Sequence, residues 1–232
     1  MIEEFAIPPE FSEVLFPIRK QQIELSKKVI LEDSIEFGQI HTIAGLDIAY
    51  SKDGSIACAG VVVIDFRNFD VIEEQIEFFS PPIPYIPSFL FHRESPGYLQ
   101  VLKKLQEKPD ILIFDGNGVL HPFGCGLASQ MGLAINKPCF GVAKKLLFGE
   151  FNSDLRVGGF SLIKKDDTII GAAFQSLAPP AQPVYVSVGH LMSLSTVVNI
   201  MREFTYFQVY PSKLPTPLTL ADKLVREQFS DE

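Results

Sequence analysis

The stretch Asp110–Lys145 constrains this chain more than any other. It opens with an apolar run, Ile111 to Phe114, that ends on Asp115 and passes into Gly116-Asn117-Gly118-Val119-Leu120-His121-Pro122. A short apolar run bounded by turn residues predicts a buried strand, here with a carboxylate at its tip. Open α/β sheets build sites at the carboxyl ends of strands, and glycines at such a tip let the backbone approach a ligand closely. The same residues also suit a plain polar turn after a core strand. The rest of the chain has to decide between the two.

Residues 11 to 32 place Val14, Leu15, Ile18, Ile23, Leu25, Val29 and Ile30 at roughly helical spacing, which predicts a covering helix. Three strands follow: His41–Tyr50, Ile56–Phe66 after the Asp53-Gly54 turn signal, and Val71–Phe79, together an antiparallel meander. The first holds one charge, Asp47, among Ile43, Leu46 and Ile48. A mid-strand carboxylate is costly to bury unless it is paired or binds metal, and its parity puts it on the face of Gly45 and Ala49, where there is room. A salt bridge to a lysine or arginine is the alternative.

Residues 80 to 94 form a proline-rich loop, and Pro81, Pro82, Pro84 and Pro87 would hold Tyr85 on a stiff arm. An aromatic presented that way can stack on a base, although it can equally pack locally. Ser95 before Pro96 reads as the cap of a helix Gly97–Glu107, which would put Glu94 at a helix start. Beyond Asp115, His121-Pro122 is expected to open a helix of small residues over Gly124–Ile135, with Pro138–Val142 as the next buried strand. A hairpin is expected from Gly158–Lys165 and Thr168–Phe174, then a strand Val184–Val188, a helix capped near Ser193 and running to Phe204, and a last helix bearing Asp222.

No linker, repeat or low-complexity segment interrupts residues 1–232, so the chain is read as one domain; hydrophobic residues at 47% allow a sizeable core. No apolar run approaches a membrane span and no leader pattern is evident, so a soluble, cytoplasmic protein is expected with no membrane partner. Cys58, Cys125 and Cys139 form no CxxC pair and read as buried thiols. The net charge of −8 disfavours a broad nucleic-acid surface. Carboxylates gathered around divalent cations would count as negative while presenting positive charge to a substrate, and lysine pairs such as Lys144-Lys145 could supply a local patch.

Three antiparallel strands with an acid in the first, then helix, acid-tipped strand, helix and strand, is the order of an RNase H-like α/β fold. It predicts a mixed central sheet, antiparallel strands followed by parallel ones, with helices on both faces. There the two acidic strands are neighbours, and acids bridging two divalent cations can activate water for in-line attack on a phosphodiester. Magnesium, with manganese as a substitute, suits so oxygen-rich a site.

The segments Ile43-Ala-Gly-Leu-Asp47, Pro84-Tyr-Ile-Pro87 through Arg93-Glu94, Asp115-Gly-Asn-Gly-Val-Leu-His-Pro122, Gly141-Val-Ala-Lys144, Val186-Ser-Val-Gly-His190 and Leu214-Pro-Thr-Pro…Ala-Asp222 resemble endonuclease V, in that family's order. The resemblance implies a Mg²⁺-dependent DNA-repair endonuclease that recognises a deaminated base such as hypoxanthine in deoxyinosine. It would nick the second phosphodiester on the 3′ side, leaving 3′-hydroxyl and 5′-phosphate ends. By position, Asp47 and Asp115 match the family's metal ligands, and Glu94 matches a third acid that acts partly through water. Asp222 matches the acid of the last helix, His121 an active-site histidine, and Lys144 a lysine on phosphate charge. Tyr85, with Pro87 in the same motif, matches the wedge that replaces an extruded base, and Ser88, Leu90 and Gly116 match the base pocket.

The chain departs from the family pattern at three places. Ser88 stands where glycine is usual, Phe123 where a basic residue is common, and Phe174-Gln175-Ser176 replaces an aliphatic-Arg-Thr pattern. Two phosphate-contacting arginines are thus missing. This leaves two alternatives to the DNA nuclease: a nucleic-acid-binding protein that has lost cleavage, and a nuclease acting mainly on inosine in RNA.

Overall fold

The computed structural model describes residues 7–152, 154–207 and 212–230. Eight strands form one sheet in the order β3-β2-β1-β4-β5-β8-β7-β6. They are β1 (Thr42–Tyr50), β2 (Ala57–Asp65), β3 (Val71–Phe79), β4 (Ile111–Asp115), β5 (Cys139–Ala143), β6 (Phe160–Lys165), β7 (Thr168–Phe174) and β8 (Val184–His190). The meander β1–β3 is antiparallel as expected, and β4 and β5 run parallel to β1. The parallel part ends there, because β8 joins β5 antiparallel and carries the β6–β7 hairpin outward.

Helices α1 (Ser12–Ser26), α2 (Leu90–Lys104), α3 (Leu127–Ile135), α4 (Leu194–Phe207) and α5 (Thr216–Glu227) complete the fold. Strand alternation splits the core between two faces. Ile43, Ile111, Ile113, Phe140 and Val142 pack with Val197, Met201, Leu218 and Ala221 under α4 and α5. Ala44, Leu46, Leu112 and Phe114 pack with Tyr98, Val101, Leu127 and Met131 under α2 and α3. Among the described residues no helix is long and apolar enough to cross a membrane, and all three cysteines are buried free thiols.

Helix boundaries differ from the expectations, each for an identifiable reason. The first helix stops at Ser26, because the Ile30 backbone is paired instead with Leu191 N and His190 Nδ1. It buries Leu15, Arg19 and Gln22 while Val14 and Ile23 lie exposed, since the face turned inward is the one that meets Ile86, Phe89 and Ser88. Helix α2 starts at Leu90, so Ser95 is not its cap and Pro96 lies within it. A proline there forfeits one backbone hydrogen bond, but the earlier start packs Leu90 and Phe91 on the sheet. Glu94 is therefore a mid-helix residue. Helix α3 begins after Gly126 and not at His121-Pro122, because Gly124 has φ +67° and residues 121–124 close a turn.

Two strand glycines place α5. A Cβ on Gly45 would overlap the Pro217 and Leu218 backbone, and one on Gly60 would overlap a Val225 methyl. Without side chains at those points the helix lies directly on β1 and β2.

Candidate active site

Leu46 and Phe114 are register partners in the parallel pair β1–β4. The residues that follow them, Asp47 and Asp115, consequently stand side by side at the carboxyl edge. Asp222 comes down onto them from α5, and one oxygen of each of Asp47, Asp115 and Asp222 lies within 4.8 Å of the others. Asp47 is 7% exposed, and its Oδ1 accepts from the Ile48 amide at 2.8 Å. Burial, and then repulsion from Asp115, push its carboxyl up to about 8. The pKa of Asp222 is instead lowered: burial works to raise it, but Arg226 at 2.8 Å and Lys144 at 3.3 Å outweigh that effect.

Lys144 follows β5 and places its ammonium 2.8 Å from Asp115. Burial works to lower its pKa, but the Asp115, Asp47 and Asp222 carboxylates more than offset that, and it is raised. The residues therefore fit a hard divalent cation, having oxygen donors only and carboxylates so close together that burial and mutual repulsion raise the pKa of Asp47. Glu94 lies outside this group of three. It is 7% exposed on α2, accepts from the Tyr50 hydroxyl at 2.8 Å, and is pushed up to about 8 by burial.

The loop after Asp115 folds back on the sheet: Gly118 N donates to Ser187 Oγ at 2.9 Å, and a Cβ on Gly118 would overlap the Val188 carbonyl. Beside this loop opens a pocket lined by Tyr85, Ser88, Leu90, Asn117, His121 and Gln130, among others. The structure thus gathers Tyr85, Ser88, Leu90 and His121 in one place. Tyr85 is 66% exposed. Pro87 and Gly116 are not in the lining; Pro87 precedes Ser88 in a turn, and Gly116 backs onto Leu127, which is. His121 stands with the pocket and not with the acids. Burial, with Arg19 nearby, drives its pKa down to about 3, so the ring is neutral, and Nδ1 accepts from the Phe123 amide at 3.3 Å.

The departures from the family pattern have structural partners. The Phe123 ring carries the Arg19 guanidinium 3.6 Å from its centroid. Phe174 is fully buried, Gln175 donates to the Ala181 carbonyl at 2.8 Å, and Ser176 donates to the Lys213 carbonyl at 2.7 Å, so this segment braces the loop that follows it and the approach to α5. Sequence reasoning missed Tyr50 and Arg19. Tyr50 was visible as a polar-tipped aromatic ending the strand of Asp47. Arg19 and Gln22 were masked by apolar neighbours that the fold leaves outside.

The Endonuclease V family profile matches residues 23–223. Endonuclease V of Nostoc sp. is 40% identical over 207 residues, covering 88% of this chain and 90% of that protein. The crystal structure of the catalytic domain of human endonuclease V superposes with a TM-score of 0.86 at 32% identity, covering 97% of this chain and 98% of that one. Ciona intestinalis endonuclease V, solved with a 24mer DNA containing an inosine followed by a ribo-adenosine, shares the fold at 24% identity, TM-score 0.83, covering 94% and 99%. Acid-bearing neighbouring strands, helices on both faces of the sheet and a match over nearly the whole length converge on one conclusion: this RNase H-like chain belongs to the endonuclease V family of nucleases.

Proposed function

We propose that the chain is a Mg²⁺-dependent endonuclease, with Mn²⁺ able to substitute, that cuts DNA at a deaminated base such as hypoxanthine. The cut falls at the second phosphodiester on the 3′ side and leaves 3′-hydroxyl and 5′-phosphate ends. The observation that carries this reading is adjacency: Asp115 belongs to the three-aspartate cluster, and Asn117, two residues on, lines the pocket. A base held in that pocket keeps its strand beside the acids. In this reading Asp47, Asp115 and Asp222 hold the cation, with Glu94 contributing through water and kept in place by Tyr50. A divalent cation bound there supplies Lewis-acid stabilisation of phosphate charge and a more acidic water.

Lys144 balances charge at Asp115 and Asp222 and meets the phosphate. Tyr85, exposed on its proline-braced loop, fills the gap left by the extruded base; Ser88, Leu90, Gly116 and the neutral His121 shape the pocket. The inosine-containing DNA held by the Ciona protein supports the same base class here. Phe123 and Phe174-Gln175-Ser176 supply no basic group, which favours a weaker grip on the backbone and keeps inosine-containing RNA as the second reading.

The test is nicking of an inosine-containing duplex with Mg²⁺, Mn²⁺ or EDTA, run beside Asp47→Ala and an RNA oligonucleotide of the same sequence. Nicking 3′ to inosine, lost with EDTA and in the variant, is the expected result. Wild type as inert as Asp47→Ala on every substrate would overturn the enzyme reading in favour of a binding protein.

A further inference from the structure

Ser88 holds a conformation that serine enters only at a cost. The Ile86 carbonyl accepts from the Phe89 amide at 3.0 Å, which makes Ile86–Phe89 a turn with Pro87 second and Ser88 third. Ser88 has φ +70°, the value that favours glycine at the third position of a type II turn. Such a residue persists when its surroundings over-determine it, and those surroundings point to function.

Here they converge on Ser88 from two elements. Arg19 Nη2 donates to Ser88 Oγ at 2.6 Å. Gln22 Nε2 donates to the Ser88 carbonyl at 3.1 Å, and the His121 ring lines the same pocket. Arg19 is itself fixed, 8% exposed, with its guanidinium 3.6 Å from the Phe123 centroid and 4.2 Å from that of Phe89. Two of the chain's departures from its family, Ser88 and Phe123, are thus joined through one arginine.

A guanidinium can only donate. The Ser88 oxygen must therefore accept from Arg19, and its own proton is directed elsewhere. Ser88 is a wall of the pocket, and so is Asn117, whose Oδ1 is buried with no hydrogen-bond partner among the described residues. We propose that the Ser88 hydroxyl as donor and Asn117 Oδ1 as acceptor read the carbonyl and adjacent ring N–H of a lactam base, with Arg19 as the positioning residue that sets this polarity.

The proposal rests on the deaminated-base reading above and gives it a chemical rule. Deamination replaces an exocyclic amine by a carbonyl and places a proton on the neighbouring ring nitrogen. Adenine thus offers donor then acceptor, whereas hypoxanthine offers acceptor then donor; cytosine and uracil differ in the same way. The Ser88–Asn117 pair matches the deaminated base at both positions and opposes its amino parent at both. A mismatched polar pair in a pocket leaves groups unpaired, which is how such sites reject close analogues.

The experiment measures dissociation constants by fluorescence anisotropy, in EDTA so that neither metal nor cleavage enters. The probes are single-stranded oligonucleotides of one sequence carrying a single hypoxanthine, adenine or unsubstituted purine. Wild type should prefer hypoxanthine to both. Ser88→Gly suits the turn and removes the hydroxyl; it should lower the hypoxanthine-to-purine preference roughly five- to tenfold. Arg19→Gln, which can accept as well as donate, should reproduce that selective loss, while Arg19→Lys retains the preference. Asn117→Ala should also lower the hypoxanthine-to-purine ratio. An unchanged ratio in Ser88→Gly, or equal weakening of all three probes, would overturn the proposal. A wild type that binds hypoxanthine no better than adenine would instead refute the deaminated-base reading.

Discussion

Replacing Gly45 by alanine should unseat α5 and carry Asp222 away from its partners. The added methyl would overlap the Pro217 carbonyl group and the Leu218 amide, which are backbone and cannot rotate aside. Carbon atoms pack at ~3.5–4 Å, so the helix must retreat by on the order of 1 Å, or β1 must buckle. Overpacking a core costs about 1–3 kcal/mol, and a backbone obstacle puts this case at the upper end, about 2–3 kcal/mol. The same retreat separates Asp222 from Asp47 and Asp115, whose oxygens now lie within 4.8 Å of it. Urea unfolding in EDTA measures the first effect, and the rise of the midpoint on adding Mg²⁺ measures the second. Gly60→Ala is the control, since its obstacle is a Val225 side-chain methyl and its cost should be smaller. A Gly45→Ala protein with the wild-type midpoint and full Mg²⁺ stabilisation would refute the reasoning.

Lys144→Met removes the cation between Asp115 and Asp222. With the lysine side chain 42% exposed, solvent screening limits the loss in EDTA to about 1 kcal/mol, and Mg²⁺ should narrow the gap to wild type in thermal melts. Glu94 is held near 8 by burial against 4.5 in an exposed setting, and Asp47 near 8 against 3.8. His121, driven to about 3 by burial against 6.5 in an exposed setting, works the other way below about 6.5, so it is between about 6.5 and 8 that the folded chain binds more protons than the unfolded one and metal-free stability should fall as pH rises. Urea midpoints at pH 6.5 and 8.5 check the sign, and Glu94→Gln should flatten the slope; a rise with pH would contradict it. Tyr85→Ala should change stability by less than about 0.5 kcal/mol. It should weaken binding of a hypoxanthine oligonucleotide by roughly five- to a hundredfold, and unaltered affinity would remove the wedge role.

Much of this molecule is legible in one dimension because its signals are local. The strands follow from apolar runs and turn residues, and β1, β2, β4 and β5 lie within a residue or two of where those signals end. Asp47 and Asp115 were conspicuous because a carboxylate in or at the tip of an apolar strand demands an explanation. The starts of α2 and α3 were misread because Ser95-Pro96 and His121-Pro122 look like helix openings. Packing of Leu90 and Phe91 in one case, and the positive φ of Gly124 in the other, overruled those local signals.

By itself the sequence determined the succession of strands along the chain, the acids and the family's motifs, all of which depend on residue type and spacing along the chain. Only the tertiary structure decided that Asp222 joins Asp47 and Asp115, because Gly45 and Gly60 let a helix from the far end of the chain lie on β1 and β2. It also set Glu94 against Tyr50 and moved His121 to the pocket. Arg19 meets Ser88 and Phe123 only when α1 folds over the loop before α2, and no local pattern encodes a contact between segments so distant in sequence.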